Sequence, residues 1–317
     1  MPTIRANNID IRYELLPDTL PSPAHGRGTS AAGGLGEGIT TPLVLSHGFA
    51  SGLDTWIDEV RPLADERPLL MYDVRGHGQT TVPPDPADYS VPTFAADLAA
   101  LLRALNIERA HIGGVSMGGL ITAQFAVDFP EMCESVLLCD TTCGNARPDG
   151  GGAPTGGRLP DGPAAEWERR MRTGFALLMN SVRQRGMEET VRREWDWNQQ
   201  NNLHIGESPY TLEGDLQRIT LMTPEGYLGA AQAIIDRPDL TGRISGITAP
   251  ALVMIGAWDD FLPCALRDHG LIPGSRLVIR NRCGHGSRWR LDTFLREVEH
   301  FIDDVEARRP VAGKIEV

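Results

Sequence analysis

Lysine is nearly missing from this 317-residue sequence. Of its 30 basic residues, one is a lysine, Lys314 in the C-terminal tail, and the other 29 are arginines. A catalytic serine that is activated by a lysine needs that lysine inside the fold. The composition therefore argues against a serine–lysine site and makes histidine the expected base for any serine nucleophile.

Long apolar runs are also missing. No stretch approaches the roughly 18 to 20 apolar residues that a membrane helix needs. The N-terminal sequence "MPTIRANNIDIRYELL" lacks the charged-then-apolar pattern of a signal peptide. We therefore expect no membrane segment and a cytoplasmic protein.

Cysteine is sparse, and its pattern excludes a disulfide framework or a metal site. The five cysteines are odd in number and mostly lie in apolar, strand-like runs, which predicts buried free thiols in a reducing compartment. No Cys-x-x-Cys or histidine-rich spacing indicates a metal site, and no cofactor is predicted.

The formal charge is −12 and the sequence pI is about 5.1. This acidic balance argues against nucleic acid or an anionic membrane surface as the main partner. A hydrophobic content of 41% is ample for a packed core. The oligomeric state stays open, with a homodimer as one alternative.

Short apolar runs alternate with helical patterns along much of the chain. The segments "VPTFAADLAALLRALNI" (91–107) and "GGLITAQFAVDFP" (118–130) have helical periodicity. Such alternation predicts an α/β protein with a mostly parallel, doubly wound sheet. The predicted strands lie at 41–48, 68–76, 109–116, 135–142, 250–260 and 275–285.

Two segments interrupt this alternation. Residues 18–40 are rich in Pro, Gly, Ser and Ala and predict a flexible loop. Residues 144–235 begin glycine-rich and continue with helical patterns and no strand signal, with Thr223 as N-cap and Pro224 as the first residue of the last helix. We predict a core formed by 1–143 and 236–317, with a helical insertion at 144–235.

Residues 114–118, "GVSMG", have the pattern G-x-S-x-G between a predicted strand and a predicted helix. A serine in such a strained turn brings backbone so close that β-carbons at 114 and 118 would clash. The Met117 backbone N–H, at the helix N-terminus, would point at the reacting atom. Ser116 is therefore the predicted nucleophile.

The other parts of a catalytic site follow in chain order. His285 in "CGHGS" is the predicted base, and Asp259 in "GAWDDFLP" is the predicted acid, with Asp260 and Asp140 as alternatives. The Phe49 backbone N–H would be the second oxyanion donor, beside that of Met117. The order Ser, Asp, His is the one expected of α/β-hydrolases.

With these residues, the chain resembles the α/β-hydrolase superfamily from 41 to 290. The resemblance rests on five motifs: "SHGFASG", "DVRGHGQT", "GGVSMGG", Gly256-x-x-Asp259-x-x-x-Pro263 and "CGHGS". It implies that the insertion is a helical cap over the active site. It argues against haloalkane dehalogenases and epoxide hydrolases, which carry an aspartate nucleophile where Ser116 stands.

Within the superfamily, the chain is most similar to enol-lactonases, carboxylesterases and carbon–carbon-bond hydrolases. We predict hydrolysis of a small ester or lactone through an acyl-enzyme on Ser116. One alternative is a carbon–carbon-bond hydrolase, although many of these carry tryptophan where Gly286 stands; another is a receptor-like protein with little turnover. The predicted pocket residues are Trp258 and Phe261 beside the acid, and Trp195 and Trp197 in the insertion.

Overall fold

A computed structural model describes residues 2–17, 41–146 and 162–317. The predicted flexible loop at 18–40 lies outside the described residues. The same holds for residues 147–161, in the glycine-rich first part of the predicted insertion.

The strands of the described ranges form one sheet. They are β1 (Thr3–Ala6), β2 (Ile9–Leu16), β3 (Leu43–Ser46), β4 (Leu69–Tyr72), β5 (Ala110–Val115), β6 (Cys133–Cys139), β7 (Ala251–Gly256), β8 (Arg276–Arg280) and β9 (Gly313–Glu316). Their order is β1-β2-β4-β3-β5-β6-β7-β8-β9. The pairs β1–β2 and β2–β4 are antiparallel and the others are parallel. The mostly parallel sheet is confirmed, with all six predicted strands in it.

Helices follow most of the parallel strands. They are α1 (Leu53–Val60), α2 (Val91–Ala104), α3 (Met117–Asp128), α4 (Pro163–Arg185), α5 (Met187–Asn201), α6 (Leu212–Ile219), α7 (Pro224–Asp236), α8 (Leu262–Leu271) and α9 (Leu291–Glu306). Short 3-10 turns lie at Arg61–Ala64, Pro86–Asp88, Pro130–Met132, Ile205–Glu207 and Ile244–Gly246.

The sheet is covered on both faces, because neighbouring residues of a strand point to opposite sides. In β3, Val44 belongs to the apolar cluster that packs on α2, α3 and α8, whereas Leu43 and Leu45 belong to the cluster that packs on α1 and α9. This arrangement is the predicted doubly wound sheet. It also explains why the central strands are almost continuously apolar.

Helices α4 to α7, which we call the helical insertion (163–236), pack mainly on one another, and α4 also contacts α8 of the core. The predicted start of α7 is confirmed: Pro224 is its first residue, and the Thr223 side chain accepts a hydrogen bond from the Gly226 N–H. All five cysteine thiols are free and buried, as the sequence indicates. No helix of the described ranges is long and apolar enough to cross a membrane.

Candidate active site

Ser116 lies in a strained turn between β5 and α3. Its φ is 57° and its ψ is −116°, a conformation that L-residues rarely adopt. The close backbone approach expected around it is present. A β-carbon on Gly114 would lie 2.3 Å from the Gly118 carbonyl carbon, and one on Gly118 would lie 1.9 Å from the Ser46 oxygen. The two glycines are therefore sterically required, as predicted.

Two backbone N–H groups flank this serine. Met117 is the first residue of α3, where the N–H group has no acceptor within the helix. On the other side, a β-carbon on Gly48 would lie 3.6 Å from the Ser116 β-carbon, so the Gly48–Phe49 turn adjoins the serine. Within the described parts of the chain, neither the Phe49 nor the Met117 N–H has a hydrogen-bond acceptor. Both remain available to an oxyanion.

The His285 imidazole is held by a buried carboxylate. Its Nδ1 lies 2.8 Å from Asp259 Oδ2, and Asp259 Oδ1 accepts a hydrogen bond of 2.9 Å from the Phe261 N–H. Asp260, the adjacent alternative, is exposed and makes no hydrogen bond to His285 in the described structure. The geometry thus pairs His285 with Asp259.

The charge around the imidazole is dominated by this carboxylate. Burial lowers the pKa of His285, but the charge and hydrogen bond of Asp259, together with the charge of Asp140, raise the pKa to about 9. A proton on Nδ1 is retained by Asp259, which leaves Nε2 as the atom that can exchange protons in the cavity.

Ser116, Asp259 and His285 line one cavity of about 480 Å³. Three of the four predicted pocket residues line it as well: Trp258, Phe261 and Trp195. Phe261 stacks on His285 with ring centroids 5.1 Å apart. Trp197 does not belong to the described lining, and the residue is 63% exposed to solvent. The structure therefore does not bring Trp197 to the site.

Many lining residues were not predicted, and among those from the helical insertion are seven with polar or aromatic side chains. They are Trp167 of α4, Glu194 and Asn198 of α5, His204 and Tyr210 of the α5–α6 connection, and Asp215 and Arg218 of α6. His204 stacks on Trp258 at 3.8 Å between centroids, which ties the insertion to the loop that carries Asp259. The amphipathic patterns of these helices indicate a buried side, but not which neighbour that side meets.

The charges of the cavity wall are largely paired. Arg288, three residues after His285, forms an ion pair with Glu59 of α1, and Arg218 pairs with Asp215. A cavity wall of aromatic rings and paired charges suits a small organic molecule with a few polar groups.

A fully buried ion pair lies behind the loop that carries His285, which we call the histidine loop. Asp140, which follows β6, binds Arg280 at the end of β8 at 2.8 Å, with both side chains fully buried. Asp140 also accepts a hydrogen bond of 3.2 Å from the Gly286 N–H, and Arg280 donates one of 3.3 Å to the Gly286 carbonyl. Asp140, an alternative acid in the sequence, thus contacts the residue after His285 and not the imidazole.

Comparison with known proteins identifies the family of this fold. A family described as "alpha/beta hydrolase fold" matches residues 41–287. The putative 2-succinyl-6-hydroxy-2,4-cyclohexadiene-1-carboxylate synthase of Bacillus subtilis (strain 168) is 28% identical over 261 residues, which cover 79% of this chain and 85% of that protein. The 3-oxoadipate enol-lactonase 2 of Acinetobacter baylyi is 26% identical over 227 residues, covering 71% and 73%. The crystal structure of the enol-lactonase from Burkholderia xenovorans LB400 superposes with a TM-score of 0.69 at 23% identity, covering 95% of this chain and 100% of that one.

Proposed function

The chain belongs to the α/β-hydrolase family, and from this premise we propose that it is a serine hydrolase acting on a carboxylic ester or lactone of a small organic substrate. One observation carries the proposal: the strained Ser116 turn and the His285–Asp259 pair line the same cavity. A nucleophile, a base and an orienting acid in one cavity are the parts that acyl transfer needs.

The proposed reaction begins when His285 Nε2 takes the proton of Ser116 Oγ as this oxygen attacks the substrate carbonyl. The Phe49 and Met117 N–H groups hold the oxyanion. His285 then gives its proton to the leaving oxygen, and the carbon–oxygen bond breaks. A water molecule, deprotonated by the same imidazole, then attacks the acyl carbon. The imidazolium returns this proton to Ser116 Oγ as the bond between Oγ and the acyl carbon breaks, which releases the acid.

In this proposal the helical insertion is the cap that limits the substrate. It contributes Trp167, Trp195 and Tyr210 to a cavity of about 480 Å³, a volume suited to a small molecule. The similarity to an enol-lactonase supports a lactone or ester. The structure disfavours the tryptophan that many carbon–carbon-bond hydrolases carry after the histidine: a β-carbon on Gly286 would already lie 2.0 Å from Tyr210 Oη.

The proposal is tested with p-nitrophenyl esters from acetate to decanoate, a panel of lactones, and a fluorophosphonate label. Ser116→Ala should lose the label and lower kcat by roughly 10⁴-fold or more, because the members of such a triad act as a unit. Ser245→Ala is the matched control, since Ser245 is exposed and outside the described cavity lining. Multiple turnovers support an enzyme, and a single stalled burst would indicate a receptor. Turnover and labelling that survive in Ser116→Ala would refute the serine mechanism.

A further inference from the structure

A phenol from the helical insertion reaches the loop that carries His285. Tyr210 lies just before α6 and lines the cavity together with Ser116, His285 and Gly286. Gly286 has a φ of +106°, and a β-carbon built on it would lie 2.0 Å from Tyr210 Oη. The hydroxyl therefore sits directly against the backbone of the residue that follows the histidine.

The ring of Tyr210 lies near two cations. The guanidinium carbons of Arg218 and Arg288 lie 5.9 Å and 5.8 Å from the ring centroid. Both cations are themselves anchored, Arg218 by Asp215 and Arg288 by Glu59. A ring held in this way presents its hydroxyl in one place, as a group that recognises a ligand must do.

The hydroxyl itself is not used by the protein. Tyr210 Oη has no hydrogen-bond partner in the described ranges, although its ring is packed among charged groups. Burial raises the pKa of Tyr210 to about 12, so the phenol stays protonated at neutral pH. It is then a hydrogen-bond donor that lines the cavity without an acceptor from the described residues, and it can donate to a ligand.

The side of the cavity on which this donor lies determines what it meets. His285 passes its proton to the leaving oxygen in the proposed reaction, so the alcohol part of the substrate lies on the His285 side. Gly286 follows His285 directly. Since Tyr210 Oη lies against Gly286, we assign it to the alcohol side of the cavity in the proposed reaction.

From this geometry we infer that Tyr210 donates a hydrogen bond to an oxygen acceptor in the alcohol part of the substrate. The cavity would thus select esters or lactones whose alcohol part carries an ether, carbonyl or carboxylate oxygen. The inference rests on the proposed function, and it assigns the insertion a role in recognition beyond covering the site.

The test uses two isosteric esters, 2-methoxyethyl butanoate and n-butyl butanoate, which differ by an oxygen in place of one methylene. The wild type should hydrolyse the methoxyethyl ester with a kcat/KM about five- to tenfold higher, the effect of one hydrogen bond. Tyr210→Phe should abolish this preference, because kcat/KM for the methoxyethyl ester should fall about five- to tenfold further than kcat/KM for the butyl ester. A merely structural role would lower both rates equally. The control is Tyr13→Phe, since Tyr13 lies on β2 outside the described cavity lining.

A second arm separates this inference from the proposed chemistry. In Ser116→Ala protein, calorimetry measures the binding of the same two esters without turnover, with and without Tyr210→Phe. A preference for the ether oxygen that disappears with the hydroxyl supports the inference even if the wild type hydrolyses neither ester. Equal affinity for the two esters in Ser116→Ala, or a preference that persists in Tyr210→Phe, would overturn it.

Discussion

At the scale of single residues, two adjacent aspartates have different expected effects. Asp259 is buried and hydrogen-bonded to His285, whereas Asp260 is exposed on the cavity wall. Asp259→Asn should lower kcat by about 10⁴-fold, because an amide cannot hold the imidazole in the required tautomer. Asp260→Asn should change kcat by less than about tenfold. The kcat of ester hydrolysis, measured for the two variants purified in parallel, shows which aspartate acts with His285. A larger loss of kcat in Asp260→Asn than in Asp259→Asn would reverse the assignment.

The Asn variants of the same two aspartates should also differ in the pH dependence of kcat/KM. In the proposed mechanism the neutral imidazole is the base, so a His285 pKa raised to about 9 means that kcat/KM of the wild type should rise with pH toward that value. In Asp259→Asn the main cause of the raised pKa is removed. The remaining activity should therefore rise at lower pH than in the wild type, while the profile of Asp260→Asn should stay in place.

The residue scale also shows where the sequence stops being informative. Trp195 and Trp197 were predicted together, yet two residues are about 200° apart around a helix, so they cannot face the same cavity. Helical periodicity alone shows that the two tryptophans face different sides, but it does not show which of them faces the cavity. Tyr210 carried no signal at all, because its role depends on a contact with Gly286, 76 residues further along the chain.

At the scale of elements, the ends of three strands meet behind the histidine loop. Asp140 after β6 and Arg280 of β8 form a buried ion pair, and the Gly256 N–H at the end of β7 donates a hydrogen bond of 3.2 Å to Asp140. Together with the two hydrogen bonds to Gly286, this pair connects the sheet to the turn of His285. In the proposed mechanism, Asp140 and Arg280 would therefore position the turn that carries His285.

Removing one partner of this pair should have two separable effects. Asp140→Asn and Arg280→Met should each lower the free energy of unfolding by about 3–5 kcal/mol, since each leaves a buried charge unpaired. Their effects on the pKa of His285 should be opposite, because the Asp140 charge raises it and the Arg280 charge lowers it. The rise of kcat/KM should move to lower pH in Asp140→Asn and to higher pH in Arg280→Met.

These profiles are measured well below both melting temperatures, with wild type and Asp128→Asn as references; Asp128 pairs with Arg243 near the surface. If the two profiles shift in the same direction, the pair acts on His285 through the shape of the loop and not through charge, contrary to this prediction.

Elements differ in how well the sequence predicts them. The central strands β3 to β8 are buried on both faces, so each is a short, apolar run that stands out from its surroundings. The strands β1, β2 and β9 were missed because they lie at the edges of the sheet or beside them and carry polar residues; β9 is exposed along its whole length. The Ser116 turn was predictable because sterics demand glycine on both sides of it.

At the scale of the whole molecule, a buried polar network joins the helical insertion to the core. Glu168 of α4 accepts hydrogen bonds from Thr142 Oγ1 at 2.7 Å, from the Ala146 N–H at 2.9 Å and from Arg267 of α8 at 2.7 Å. At the other end of the insertion, Arg237 donates two hydrogen bonds to the Gly144 carbonyl. Both ends of the insertion are thus fastened to the segment that follows β6.

Because this attachment is polar and buried, its loss should destabilise the protein as a whole. Glu168→Ala should lower the free energy of unfolding by about 3 kcal/mol, since the N–H of Ala146 and the hydroxyl of Thr142 lose their buried acceptor and Arg267 loses one of its two carboxylate partners. Glu166→Ala, on the same helix, removes an exposed pair with Arg170 and should cost less than about 1 kcal/mol. Urea unfolding followed by circular dichroism compares the two variants. If both variants unfold at the same urea concentration, the Glu168 network does not hold the insertion on the core. If Glu168→Ala alone unfolds at a lower urea concentration, its kcat/KM is then measured for the methoxyethyl and the butyl ester. An equal fall for both esters means that the insertion has lost its position over the cavity. Loss of the Tyr210 hydrogen bond alone would lower kcat/KM only for the ester with the ether oxygen.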